Sequence, residues 1–154
     1  MEKEALKRIF DFLEEKGEHK TPLLWKLEND IPIKEKDLDF EGDLILTYSD
    51  IESLPEGLNV RGELDLFGSK LTSLPKGLKV GDWLDLRETN IKLLPKGLKV
   101  GGYLDLVGTK ITSLPKGLEI GEHLFILDTA LEEYSDNQLR DMVKPGFIKG
   151  EIFR

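Results

Sequence analysis

Apolar residues recur every twenty residues through the middle of the chain and fall into fixed columns. Two of these columns lie two positions apart, as side chains on one face of a strand do. They consist of Leu44, Leu64, Leu84, Leu104 and Leu124, and of Leu46, Leu66, Leu86, Leu106 and Ile126. A second alternating pair recurs later in each repeat, at Leu58 and Val60, Leu78 and Val80, Leu98 and Val100, and Leu118 and Ile120. Each repeat therefore predicts two short strands joined by two corners.

A Leu-Pro pair followed by Gly-Leu marks one of the corners, from Leu54-Pro55 in the first full repeat to Leu114-Pro115 in the last. Proline fixes φ and glycine adopts backbone angles closed to other residues, so the pair turns the chain at the same place each time. A twenty-residue coil with two strands has no room for a long helix, and it buries its apolar face only by stacking on copies of itself. The pattern predicts a mainly β, single-domain solenoid of about five coils across residues 38–131.

The segments on either side of the repeats predict caps for the solenoid. Residues 1–37 form a helical N-terminal cap, with an amphipathic helix that stops at Gly17 and a short second helix that follows Thr21-Pro22. Residues 132–154 form a C-terminal cap, with a helix begun by Ser135 and a final strand or strand pair in "FIKGEIF". Such caps cover the apolar rungs and open ladder groups at the ends of a solenoid.

The pattern "L-x-L-x-x-T-x-I-x-x-L-P" at 104–115 resembles the leucine-rich repeat, in particular the short bacterial class with "LP" on the outer side. The usual Asn after the strand is replaced by a hydroxyl residue able to bond neighbouring backbone, namely Ser49, Ser69, Thr89, Thr109 or Thr129. The "VGG" or "VGD" run before the strand departs from that family and leaves a right-handed parallel β-helix as the alternative. The "VGGYLDLVGT" phrase also resembles repeats in uncharacterised bacteriophage-encoded proteins.

Composition narrows the function. The formal net charge of -8 makes nucleic-acid binding unlikely, since a phosphate backbone requires a basic stripe. The absence of cysteine excludes disulfides and thiolate metal sites, and two histidines are too few for a histidine zinc cage. We expect no cofactor. We also expect no membrane contact, because the N-terminus lacks a signal peptide and no apolar run is long enough to span a membrane. The chain is predicted to be soluble and cytoplasmic.

The polar positions between the strand leucines form three rows on the outside of the main sheet. Row one is Asp43, Glu63, Trp83, Tyr103 and His123; row two is Ile45, Asp65, Asp85, Asp105 and Phe125; row three is Thr47, Phe67, Arg87, Val107 and Leu127. Parallel rungs lie about 4.8 Å apart, so the three aspartates of row two would stack as like charges. Solvent, Arg87, a basic partner or a cation would offset the repulsion between these charges. A flat sheet supplies few oxygens for calcium.

Aromatic and acidic residues together on one face favour binding of a protein partner that has a basic surface. The predicted contact residues are Glu63, Asp65, Phe67, Trp83, Asp85, Arg87, Tyr103, Asp105, His123 and Phe125. The phage resemblance implies, as one form of this function, an inhibitor of a host protein. Two alternatives stay open: a self-associating spacer or virion protein, and a carbohydrate-active solenoid that uses Glu63 and Asp85. No catalytic motif is present, so we expect no enzyme.

Overall fold

The computed structural model of the chain describes residues 2–16 and 23–154. The chain divides into two compact units, Met1–Asp37 and Leu38–Arg154. The predicted helix stop at Gly17 and the predicted cap at Thr21-Pro22 lie outside the described residues. Among the residues that the structure describes, no helix has the length and apolar character needed to cross a membrane.

The first unit contains the two helices expected there, α1 at Glu2–Glu15 and α2 at Leu23–Glu28, followed by a 3₁₀ turn at Glu35–Asp37. A buried ion pair joins α2 to this turn: Nζ of Lys26 lies 3.1 and 3.0 Å from the two carboxylate oxygens of Asp37. The same carboxylate accepts a hydrogen bond from the Lys34 amide at 2.8 Å. A charge this deeply buried requires such pairing, so this pair fixes the turn that leads out of the unit.

The second unit is a solenoid of very short parallel strands arranged in two six-stranded sheets. Sheet A consists of β1 Asp39–Phe40, β3 Asn59–Val60, β5 Lys79–Val80, β7 Lys99–Val100, β9 Glu119–Ile120 and β11 Phe147–Ile148. Sheet B consists of β2 Leu44–Ile45, β4 Leu64–Asp65, β6 Leu84–Asp85, β8 Leu104–Asp105, β10 Leu124–Phe125 and β12 Ile152–Phe153. The predicted mainly β solenoid is confirmed, and helices precede and follow the repeats along the chain.

The register of the strands follows the twenty-residue repeat. Leu64 pairs with Leu84, which pairs in turn with Leu104, so identical residues stack along the solenoid axis. Val80 and Val100 pair in the same way in sheet A. The leucines of all predicted columns in the central coils are buried, as are the valines of sheet A. Stacking therefore buries the apolar face that a single coil leaves open.

Glycine is required at two kinds of corner. Gly97, in the Leu-Pro corner, has a φ of +73°, which L side chains rarely adopt. Gly101 sits between β7 and β8, and a Cβ there would lie 2.1 Å from the carbonyl oxygen of Gly81 in the preceding coil. The "VGG" run that departs from leucine-rich-repeat spacing is thus a place where successive backbones stack in direct contact.

The serine and threonine residues that follow the sheet B strands form hydrogen bonds within their own coils, and only some of them do so. Thr89 and Thr129 donate to the carbonyl oxygens of Leu86 and Ile126, each at 2.6 Å, and Ser49 accepts from the Ile51 amide at 3.0 Å. The buried hydroxyls of Ser69 and Thr109 have no hydrogen-bond partner in the described part of the chain. The hydroxyls of Ser49, Thr89 and Thr129 therefore help to close the turns after their own sheet B strands, and the five hydroxyl residues do not form a continuous ladder.

The C-terminal segment adds one further rung to both sheets. After β10 the chain makes a 3₁₀ turn at Ala130–Glu133 and forms α3 at Asp136–Val143, whose first turn is closed by a capping box between Ser135 and Gln138. The chain then returns as β11 and β12, which pair with β9 and β10. Arg140 of α3 donates to the carbonyl oxygens of Ile148 and Gly150, the latter at 2.7 Å.

The carbonyl groups of Ile148 and Gly150 are equivalent to those of Ile120 and Glu122 in the preceding coil. The carbonyl oxygens of Ile120 and Glu122 accept hydrogen bonds from the amides of Lys149 and Gly150. Arg140 therefore takes the place of a further coil at this edge of sheet A. An open ladder edge is a template for pairing with another chain, and a guanidinium over its acceptors blunts it.

Candidate interaction surface

The outer face of sheet B contains the three predicted rows side by side. In row two the register runs from Ile45 through Asp65, Asp85 and Asp105 to Phe125. The sixth rung extends the rows beyond the repeats that the sequence shows, since Phe153 pairs with Phe125 and Glu151 precedes it in row one. We call the outward side chains of these rows the sheet B face.

The central aspartates of row two turn back onto their own coils. Each carboxylate accepts a hydrogen bond from the amide two residues later: Asp65 from Phe67 at 2.9 Å, Asp85 from Arg87 at 2.9 Å, and Asp105 from Val107 at 3.0 Å. This local bond is the usual turn-forming use of an aspartate and holds the bend that follows the strand.

Burial corrects the predicted role of two of these aspartates. The side chains of Asp85 and Asp105 are only 4% and 11% exposed, whereas the sequence placed them on a solvated ladder open to a basic partner. A carboxylate that is largely covered by its neighbours offers little surface to a partner. Both aspartates therefore serve the coil itself.

Arg87 neutralises the aspartates from row three, as one of the sequence interpretations proposed. Its Nε lies 3.0 Å from both carboxylate oxygens of Asp85, its Nη2 lies 2.6 Å from one of them, and Nε is 3.5 Å from Asp105. The hydrogen bond to Asp85 raises the pKa of the Arg87 guanidinium. Burial raises the pKa of Asp105, and the nearby Asp85 charge raises it further, while the Val107 amide and Arg87 act in the opposite direction. The guanidinium is thus the counter-charge for two stacked carboxylates.

The same guanidinium lies against two aromatic rings. The Arg87 Cζ atom is 5.2 Å from the ring centroid of Phe67 and 5.8 Å from that of Trp83. The Trp83 Nε1 atom is buried and has no hydrogen-bond partner in the described residues, so Trp83 contributes ring area here. Phe67 also contacts Tyr48, with ring centroids 5.2 Å apart. Stacking of this kind holds Arg87 in one orientation.

A quartet of rings covers the C-terminal end of the sheet B face. Tyr103 lies 5.5 Å from His123 and 6.1 Å from Phe125, and Phe153 lies 5.3 Å from His123 and 5.0 Å from Phe125. Each ring thus has two ring neighbours at distances at which aromatic pairs attract. The glutamate Glu122 accepts a hydrogen bond from the Tyr103 phenol and raises the pKa of Tyr103.

His123 has a structural role within this quartet. Its Nδ1 atom accepts a hydrogen bond from the Glu151 amide at 2.8 Å, so the ring proton of the neutral imidazole lies on Nε2. This bond ties β12, the last strand of sheet B, to row one. No group of three or more His, Asp or Glu side chains is placed to hold a metal ion in the described ranges 2–16 and 23–154.

Two aromatic residues of this surface were not among the predicted contacts. Tyr48, 70% exposed, occupies a turn position with a φ of +53°, and Phe153, 40% exposed, lies on the sixth rung. Phe153 was detectable, because "IKGEIF" reproduces the "VGGYLD" phrase with Ile148, Gly150 and Ile152 in the matching columns. Tyr48 has no counterpart in other repeats, so the columns give no signal for it.

Carboxylates line one long edge of the sheet B face. They come from row one and from the corner just before it, and we call them the acidic edge: Asp43, Glu63, Asp82, Glu122 and Glu151. All except Glu63 are exposed. Within the described part of the chain, none of the five has a lysine or arginine nitrogen within 4.0 Å. The face therefore combines aromatic surface with unpaired negative charge.

Comparison of the chain with protein-family models, with curated proteins and with solved structures gives no match. Function is therefore inferred from the surface chemistry of the solenoid.

Proposed function

We propose that this protein is a cytoplasmic, non-enzymatic binding module that uses the sheet B face to hold a protein partner with a basic surface. The same proposal includes the resemblance to leucine-rich repeats. One form of the proposed function is that the chain is encoded by a bacteriophage and inhibits a host protein. The observation that carries it is the coincidence of exposed and half-buried aromatic rings with the acidic edge on one side of the solenoid.

Three properties of the face support binding. Tryptophan, tyrosine and arginine are enriched among residues that dominate binding energy, and Trp83, Tyr103 and Arg87 lie close together in the central rungs. Their side chains are already positioned by ring contacts and by the Asp85 ion pair, which lowers the entropy lost on binding. The unpaired acidic edge repels itself and supplies the field that attracts a basic partner.

The carbohydrate-active alternative gains no support from the positions of its two carboxylates. Asp85 is buried beneath Arg87 and bonded to it, whereas Glu63 lies half-buried in row one. A general acid and its partner must both reach the scissile bond. The self-associating alternative is separable by experiment, because its binding partner is the chain itself.

The test is an affinity capture from bacterial lysate, with wild-type protein beside a Trp83→Ala, Tyr103→Ala double variant. We expect a specific protein to be retained by the wild type and lost by the double variant, because the two substitutions remove the largest rings of row one. The matched control is Leu93→Ala, which deletes an apolar side chain that is 69% exposed outside the sheet B face. Circular dichroism and thermal unfolding confirm that each variant is folded.

Retention of the same protein by the folded double variant would exclude the sheet B face as its binding site. Capture of nothing by any variant, together with a sedimentation coefficient that grows with concentration, would favour self-association instead. Loss of the partner by the Leu93→Ala control as well would show that capture is not specific to the face.

A further inference from the structure

The dimensions of the sheet B face limit what covers it. Its three rows are spaced by two residues of a strand, about 6.6 Å, and so span about 13 Å. Its six rungs are spaced by about 4.8 Å and so extend for about 24 Å along the solenoid axis. An α-helix is about 10–12 Å wide and rises 1.5 Å per residue, so about sixteen helical residues match both dimensions. An extended segment is about 4.8 Å wide, less than the spacing between two rows, so it would cover only one row.

Chemistry varies across the face as well as along it. The middle row is apolar or aromatic at its ends, at Ile45, Phe125 and Phe153, and its three central rungs hold aspartates, two of which are largely buried near Arg87. The acidic edge runs along the row-one side and contains five carboxylates. On the row-three side the exposed carboxylate of Asp50 is paired with Lys70 at 2.5 Å, and Glu88 and Asp128 are two further exposed carboxylates. A ligand aligned with the axis therefore meets aromatic rings along its length, and the larger set of unpaired carboxylates lies along its row-one flank.

From this geometry we infer that the partner docks an amphipathic α-helix along the solenoid axis, with its apolar stripe on the aromatic rows and lysines or arginines over the acidic edge. This inference rests on the proposed function, since it specifies the segment that the sheet B face holds. The anchors are Trp83, Tyr103 and Phe125 under the apolar stripe, and Asp82, Glu122 and Glu151 beside the basic flank.

Charge placement explains why the basic flank of the helix lies over the acidic edge. Arg87 already satisfies Asp85 and lies 3.5 Å from Asp105, so the centre of the face demands no added cation. The acidic edge has no such internal counter-charge among the described residues. A helix with cations over this edge relieves the mutual repulsion of carboxylates on successive rungs, whereas a helix with acids there increases it.

The test uses two synthetic eighteen-residue amphipathic helices that share one leucine stripe and differ only in having lysine or glutamate on the flank. Binding is read from Trp83 fluorescence in a Trp25→Phe protein, since the chain has two tryptophans. We expect saturable binding of the lysine peptide, and affinity for the glutamate peptide at least tenfold lower. A lysine peptide with the leucine stripe scrambled should also bind at least tenfold more weakly.

A pair of charge-matched protein variants locates the basic flank. The edge variant combines Asp82→Asn, Glu122→Gln and Glu151→Gln, and its control combines Glu52→Gln, Glu56→Gln and Glu133→Gln at exposed positions elsewhere. We expect the edge variant to bind the lysine peptide at least tenfold more weakly than wild type, and the control to stay within twofold. Equal losses in both variants, or equal affinity for the lysine and glutamate peptides, would overturn the inference.

Failure of this inference is separable from failure of the proposed function. If lysate capture depends on Trp83 and Tyr103 while no designed helix binds, the face is a binding site and the helical partner is wrong. If both experiments are negative, both proposals fall. A lysine peptide that binds the Trp83→Ala, Tyr103→Ala protein as tightly as wild type, read by peptide anisotropy, would place the peptide elsewhere and also refute the inference.

Discussion

Replacement of Arg87 by methionine tests how the stacked aspartates are held. Methionine retains an apolar stem against Phe67 and Trp83 but removes the guanidinium that bonds Asp85, whose side chain is 4% exposed. Removal of one partner from a buried ion pair costs about 3–5 kcal/mol, whereas an exposed pair contributes about 0–1 kcal/mol. Because the Arg87 side chain is itself 39% exposed, solvent screens part of the interaction. We expect a loss of about 1–3 kcal/mol in the free energy of unfolding at pH 7.

The loss should depend on pH in a defined direction. Burial holds the folded-state pKa of Asp105 above the ordinary value of 3.8, and Arg87 opposes this shift. A raised folded-state pKa means that the native protein binds the proton more tightly than the unfolded chain, so stability from this group is gained as pH falls and lost as pH rises. Without Arg87 the upward shift grows. The deficit of Arg87→Met relative to wild type should therefore shrink between pH 7 and about pH 4.

Urea unfolding of wild type and Arg87→Met at both pH values measures this effect, with tryptophan fluorescence and circular dichroism as probes. Adding Asp85→Asn to the Arg87→Met protein should restore part of the stability. Asparagine keeps the oxygen that accepts a hydrogen bond from the backbone amide of residue 87, and it removes the unpaired charge. A deficit that is the same at pH 7 and pH 4, or a double variant no more stable than Arg87→Met alone, would refute the reasoning.

Two further predictions concern the stacking of the coils. Leu104→Ala should lower the free energy of unfolding by about 2–5 kcal/mol, because the buried side chain leaves a cavity, whereas Leu93→Ala at an exposed site should change it by less than about 0.5 kcal/mol in the same urea titration. Gly101→Ala should be more destabilising than Gly97→Ala: the first places a Cβ 2.1 Å from a backbone oxygen, and the second meets open space and adds only about 1 kcal/mol of backbone strain. Equal thermal shifts for the two glycine variants would contradict direct backbone stacking at the "VGG" corner.

The fold was predictable because every coil has the same type of residue at the same position of the repeat. A leucine at 84 that pairs with 64 and 104 fixes register, and one slipped coil would expose its whole apolar set. The helix begun by Ser135 was predictable for a local reason, since its capping box is written within four residues. The sixth rung is harder to detect, because α3 lengthens the step from Leu124 to Ile152 beyond the repeat.

The surface was less predictable than the core. Spacing places Asp85 and Asp105 on the outer face of the strand, and they are there; their burial follows from side chains that fold over them. Arg87 makes that contact because it can stack on Phe67 and Trp83 at the same time, a property of three side chains spread over two rungs and two rows. The repeat pattern indicates which face a residue occupies. It does not indicate how neighbouring side chains pack over that residue.

The direct stacking of coils at Gly81, Gly101 and Gly121 has a consequence for how such a protein changes in length. At these positions each coil lies against the equivalent backbone of the preceding coil, so a duplicated twenty-residue segment would meet a similar surface on both sides. Unequal crossing-over within the gene would then insert or delete whole coils without altering α3 or its Arg140 contacts. Heritable variation in this protein can proceed in steps of one coil, each of which lengthens or shortens the outer surface by about 4.8 Å.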